Sequence, residues 1–253
     1  MSYFLRLVQN EWMKTTSKRQ TTFYLAFLAL MIAGMGVLMR FVMFNDANEL
    51  SPIDFIQMMS MVSMLITFYF LIVISAQSFT DEYKDGTIKQ LLIRPASRNM
   101  ILSSKIVNLI LITIVISIFI FIISAVTGFL LFRGENTGTI GSTIGMLLAM
   151  LPELSFYALF AIMLAVVTRS IGLAISIPII LQTIIAGLLS SFSDKAWYKL
   201  LIFPNMDWSP YFTEGANPPY LGATLGFSVL IYCIYMIILL LITMWSFNTR
   251  DIQ

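Results

Sequence analysis

The chain has 253 residues, of which 58% are hydrophobic and 11% charged, with a formal net charge of +2 and a mean hydropathy of +0.88. So little polar surface cannot cover a soluble core; most of the chain must face hydrocarbon, the expected fold class is an all-α integral membrane protein, and the small net charge gives no footing for nucleic acid. Histidine is absent, which excludes haem-ligating bundles, HExxH metalloproteases and Ser-His intramembrane proteases, and no GxxxxGK[ST] loop is present, which leaves any ATP hydrolysis by that route to another subunit.

Residues 3–19 carry helical periodicity: Leu5, Val8 and Trp12, reinforced by Phe4, fall on one face, while Arg6, Gln9, Asn10 and Lys14 point elsewhere. A basic, Trp-bearing helix of this kind suits the membrane interface; a plain positively charged flank is the competing reading. No cleavable signal peptide is expected, because the first apolar stretch starts late and is too long. A spanning helix takes ~20 mostly apolar residues, and the stretches that qualify are 22–44, 55–79, 104–132, 142–168, 170–190 and 221–247. Only a short turn around Arg169 divides the fourth from the fifth, and reading them as one helix would invert every later loop.

Charge placement arbitrates, because Lys and Arg are retained on the cytoplasmic side of short loops. With the N-terminus inside, 11 of the 15 Lys and Arg lie in the cytoplasm: Arg6, Lys14, Lys18, Arg19, Lys84, Lys89, Arg94, Arg98, Lys105, Arg169 and Arg250. The acidic residues Asp46, Glu49, Asp54, Glu135, Asp194, Asp207 and Glu214 lean to the outside. Both termini therefore read as cytoplasmic. Cys233, the single cysteine, lies in an apolar run and cannot form an intrachain disulfide.

The interval 81–105 between the second and third spans is the longest charge-dense stretch in the first two thirds of the chain. Gly86 is placed to stop the descending helix in the left-handed conformation, Thr87 and Gln90 have capping-box spacing, and Ile88, Leu91 and Leu92 share one face of a short helix. Pro95 ends it and Ser97 can cap the next helix. An apolar face there has little reason to exist in water unless a partner covers it; a solvated loop made basic by topology is the competing reading.

Inside the bilayer, Glu153 is the clearest ionisable residue, and a charge there costs on the order of 2–3 kcal/mol or more. It either lines a translocation path, or satisfies backbone opened by Pro152, or belongs to a span that starts later than residue 142. Gln57, Gln77 and Gln182 can bond neighbouring helices. Small residues in the first span (Ala29, Ala33, Gly36) and the fifth (Gly172, Ala174, Ser176, Ala186, Gly187) would let helices approach closely. The 17 methionines offer adaptable apolar surface, equally usable as ordinary span filler. The outer segment 191–220 is rich in aromatic residues, among them Trp197, Phe203, Trp208 and Tyr211, and in proline. It reads either as an aromatic belt or as short helices dipping back into the bilayer.

The residues Glu82, Gly86, Thr87, Leu91, Leu92, Pro95, Ser97, Arg98 and Lys105 resemble the signature of the ABC-2 type transporter permeases, placed as in that family between the second and third spans. The length and loop sizes are most similar to small bacterial permeases that export bacitracin-like antibiotics, lantibiotics or amphipathic peptide toxins. The resemblance implies an ABC-2, type V-like architecture in a single transmembrane domain, 1–253: an interfacial elbow helix over 3–19, a cytosolic coupling loop over 80–103 and an external, re-entrant segment over 191–220. It implies two permease chains, two copies of this one or one with a similar partner, joined to two cytosolic ABC ATPase subunits that carry the ATP and Mg. This chain would bind no cofactor or metal and would not be an enzyme by itself.

Under that resemblance Glu82, Gly86, Thr87, Ile88, Leu91, Leu92, Arg94, Pro95 and Arg98 couple to the ATPase, with Glu82, Lys84 and Asp85 as rim charges of small individual worth. Glu153, Gln182 and Gln57 would line the path, Trp197, Phe203, Trp208 and Tyr211 would gate the exit, and Ala29, Ala33, Gly172 and Ser176 would meet across the permease dimer. The expected setting is the bacterial cytoplasmic membrane, with membrane lipids around the chain and an amphipathic peptide or drug as substrate. The alternative is an ATPase-binding membrane scaffold or sensor without transport.

Overall fold

The computed structural model describes residues 3–43, 50–86, 97–135, 138–212 and 218–249. Among these the regular structure is entirely helical, as expected for a backbone that must satisfy its own polar groups in hydrocarbon. Helix α1 (Tyr3–Thr16) precedes α2 (Arg19–Leu38), whose end widens into a π turn at Met39–Met43. Then come α3 (Pro52–Lys84), α4 (Arg98–Leu131), α5 (Ile140–Thr168) and α6 (Ile171–Ser190). A short α7 (Phe203–Met206) and the last helix α8 (Leu225–Thr249) complete the order. Among the described residues six helices, α2 with its π turn, α3, α4, α5, α6 and α8, are long and apolar enough to cross a membrane.

The boundaries follow from local chemistry. Ser51 accepts from the Asp54 amide at the start of α3, and Pro52 occupies the first turn, where its missing N–H costs nothing. Gly86, at φ +67, ends that helix in the left-handed region. Ser97 accepts from the Met100 amide to open α4, and Thr139 and Ser142 form a reciprocal capping box at the start of α5. Arg169 caps α5 at φ 54, so the turn there does divide two helices. Within α6, Leu181–Ile185 is wound as a π turn three residues beyond Pro178.

The core lies among α3, α4 and α5, with α1 and α2 laid on α4 and α8 on α5. Phe68 meets Tyr157 edge to face at 4.9 Å and Phe79 meets Phe247 at 5.4 Å. Close approach needs glycine twice: a side chain at Gly36 would run into Thr127 of α4, and one at Gly128 would reach the Pro52 carbonyl. Gly36 is thus used inside the chain rather than reserved for a second one.

Two expectations need correction. The buried face of α1 runs through Leu7, Val8 and Glu11, while Leu5 is 49% exposed and Lys14 is half-buried instead of pointing away. Scoring apolar residues alone misplaced the stripe, because the helix buries an acid that has a partner. In the interval 81–105 the helix ends fall as expected, with 81–84 finishing α3 before Gly86 and 98–105 opening α4 after Ser97, but Lys105 is 1% exposed and so belongs to the interior, not to a solvated loop. Residues 87–96, which hold Thr87, Ile88, Leu91, Leu92, Arg94 and Pro95, lie outside the described residues.

Candidate functional site

Two polar arrangements stand out against this apolar frame. The first joins α1, α3 and α4 beside the chain ends that flank residues 87–96. Lys105 Nζ donates to Glu82 Oε1 at 2.8 Å, to Glu11 Oε2 at 2.9 Å and to the Ser78 carbonyl at 3.0 Å, and stands 5.2 Å from the centre of the Phe79 ring. Lys14 Nζ donates to the same Glu82 oxygen at 2.6 Å, and Lys18 pairs with Asp81 at 2.8 Å. Asn108 Nδ2 donates to Thr15 Oγ1 and Gln20 Nε2 to Gln77 Oε1, extending the seam along α1 and α2.

In the inner group two lysines face two glutamates, and the side chains of Lys105, Glu82 and Glu11 are 1%, 3% and 9% exposed. Burial, the largest single influence on the Lys14 ammonium, lowers its pKa. The hydrogen bond to Glu82 and the charges of Glu82, Glu11 and Asp81 outweigh it, leaving the group above the ordinary lysine range. Glu82 is therefore a buried hub and not one of several rim charges. Around it, Arg98 donates to the carbonyls of Phe247 and Asn248 at the end of α8, and Arg169 stacks over Tyr83 at 5.2 Å. The same end of the bundle thus gathers the end of α3, the start of α4, the α5–α6 turn and the end of α8.

The second arrangement is a cleft among α3, α5 and α6. Its deeper part, about 460 Å³, is lined by Met64, Leu65, Phe68, Tyr69 and Gln182, and its outer part, about 500 Å³, by Asp54, Gln57, Met58, Met146 and Asp207. Met61, Val62, Met150 and Glu153 line both, so the two parts are continuous. Tyr157 Oη donates to Gln182 Oε1, and Gln182 Nε2 donates to Glu153 Oε1, each at 2.5 Å. Helix α5 begins at Ile140, before the expected residue 142, so Glu153 sits deeper than expected and not near an end. Glu153 is hydrogen-bonded to Gln182 of α6, and the neighbouring Ser155 donates to the Leu151 and Pro152 carbonyls of its own helix. Gln57 donates to Ser142 and Thr143 of α5 at 3.4 and 3.3 Å. The three path candidates thus share one cleft.

The aromatic candidates divide. The Trp208 amide donates to the Ala149 carbonyl, nine residues into α5 and so about 13 Å along it, and its ring meets Tyr232 of α8 at 5.5 Å. Tyr211 is hydrogen-bonded to Ser228 of α8, and Phe203 opens α7. Trp197 stands apart, 46% exposed against Phe192. The segment is held by a residue that sequence reasoning missed. Asn205, fully buried, donates to the Lys199 and Leu201 carbonyls and accepts from Tyr220 and Ser228. Of the dimer candidates, Ala29 is half-buried while Ala33, Gly172 and Ser176 lie on exposed faces of α2 and α6.

Six long apolar helices among the described residues define a multi-pass membrane protein. Across residues 22–253 the chain matches, and belongs to, the family described as protein of unknown function (DUF2705). It is similar to two proteins of Bacillus subtilis (strain 168). One, "Uncharacterized protein YhcI", is 32% identical over 208 residues, 74% of this chain but only 65% of that relative's length. The other, "Uncharacterized membrane protein YdbK", is 23% identical over 251 residues, covering 95% of this chain and all of that relative.

Proposed function

We propose that this chain is the membrane-spanning permease subunit of an ABC-2 type exporter, driven by a separate cytosolic ABC ATPase, that moves an amphipathic peptide, antibiotic or other hydrophobic substrate. The observation that carries this reading is the buried Glu11–Lys105–Glu82–Lys14 joint. It ties α1 to the two helix ends flanking 87–96, so a push on that segment would be passed to α1, α3 and α4 as one body. In this reading the joint and both termini face the cytoplasm of a bacterial cell, and the segment held by Asn205 caps the outer end. Two permease chains and two ATPases would make the working complex.

The test is to co-express the tagged chain with an ABC ATPase from the same source, reconstitute the complex and follow both ATPase capture and substrate-stimulated hydrolysis. Leu91→Glu with Leu92→Glu should abolish capture, or leave hydrolysis unresponsive to substrate. Variants that keep ATPase binding and normal export would refute the coupling assignment. A wild-type complex that holds ATPase yet responds to no substrate would mark a scaffold instead.

A further inference from the structure

The cleft has a chemical bias that the exporter reading does not supply. Five of its lining residues, Met58, Met61, Met64, Met146 and Met150, are methionines, whose unbranched, polarisable side chains adapt to ligands of different shape. Asp54, Glu153 and Asp207 all line the outer part, the last two near enough for their charges to repel, and no lysine or arginine among the described residues lines either part. Gln182 gives Glu153 a hydrogen bond but no countercharge. Among the described residues no three acidic or cysteine side chains are grouped to hold a metal ion. The charge deficit therefore spreads along a wall of methionine, as suits a bulky cation better than a small one. Met61 is 57% exposed and Leu65 60%, so the cleft also opens sideways on the surface that faces lipid.

We propose that this cleft binds a lipophilic organic cation, with the charge set between Glu153 and Asp207 and the apolar body on Met61, Met64, Leu65 and Met150. A cation there would relieve the repulsion between two carboxylates in a setting where bare charge is costly, and the methionines would replace the lipid it left. This rests on the exporter reading only for its purpose, since it names a substrate class; the binding itself needs neither ATP nor an ATPase.

Tetraphenylphosphonium and tetraphenylborate share a shape and differ in the sign of their charge. The full chain in phosphatidylcholine nanodiscs, dialysed against each ion with protein-free discs as background, should bind the phosphonium saturably and the borate no more than the lipid does. Glu153→Gln and Asp207→Asn should each weaken phosphonium binding about ten-fold. Met61→Trp, which fills the cleft, should remove it, and Leu130→Trp at an exposed position on α4 should not. Asp207→Asn and Met61→Trp read the cleft even where Glu153→Gln fails to fold. Saturable borate binding of equal strength, or phosphonium binding unchanged in both carboxylate variants, overturns the proposal. Either result with ATPase capture intact leaves the exporter reading standing, and lost capture with intact phosphonium binding leaves the cleft standing.

Discussion

At the scale of single residues, the energetics of this chain concentrate on Lys105. It bonds two carboxylates whose side chains are at most 9% exposed, and stranding a buried charge by removing its partner costs about 3–5 kcal/mol. Lys105→Met should therefore lower the Tm of the reconstituted chain and expose α1 to protease. Glu11→Gln combined with Lys105→Met should be milder than the two losses added, with a coupling of about 0.5–3 kcal/mol in a double-mutant cycle. A cycle with no coupling would mean that the two residues do not act as a pair. Lys14 contributes in a different pH range. Its pKa is raised above the ordinary 10.5, so its contribution is complete below that value and is lost only as pH rises through the higher folded one; through the neutral range it should leave the Tm unchanged. The pairing of Lys105 with Glu11 was not legible in the sequence, because the two are separated by 94 positions. The available signal was local: Glu11 is the only acid before Asp46, and it follows Leu7 and Val8 on one helical face.

At the scale of elements, the sequence carried the helices well, because their limits are set by near neighbours. Gly86, Ser97 and the Arg169 turn needed only backbone preference and a hydroxyl within three residues. The fold of the segment around Asn205 did not follow from such rules, since it depends on surfaces brought from elsewhere. Asn205 shows why. Its amide fills two donor and two acceptor roles for residues between Lys199 and Ser228, and a sequence reading finds only a polar residue between prolines. Asn205→Ala would leave the Tyr220 and Ser228 hydroxyls without that acceptor, and each buried polar group left unpaired costs about 1–3 kcal/mol. Hydrogen exchange should then rise across Tyr198–Leu200, Phe203–Met206 and Ser209–Tyr211 while α3, α4 and α5 keep their protection. Equal protection in all of these would show that Trp208 and Tyr232 suffice to hold the segment.

At the scale of the whole molecule, burial is uneven in a way that bears on assembly. Helices α3 and α5 are the most enclosed of the spans, and α6 the least. On the outward faces of α2 and α6, Ala33, Gly34, Gly172 and Ser176 interrupt larger residues such as Leu30, Val37, Leu173 and Ile180. In a bilayer such faces gain nothing from burial as such, because lipid is as apolar as leucine; association comes from close packing, which small residues allow. The exporter reading puts a second chain on these faces. Fluorophore-labelled chain in nanodiscs should then bleach in two steps, and Ala33→Trp or Ser176→Trp, which fill the shallow face without entering the core, should convert most particles to one step. Leu241→Trp, at a 61% exposed position on α8, replaces one large lipid-facing side chain by another and should leave two steps. Single-step bleaching of the unaltered chain would place lipid on α2 and α6, and the partner permease would then have to be a different protein. Two steps that persist in both tryptophan variants would put the contact on another face.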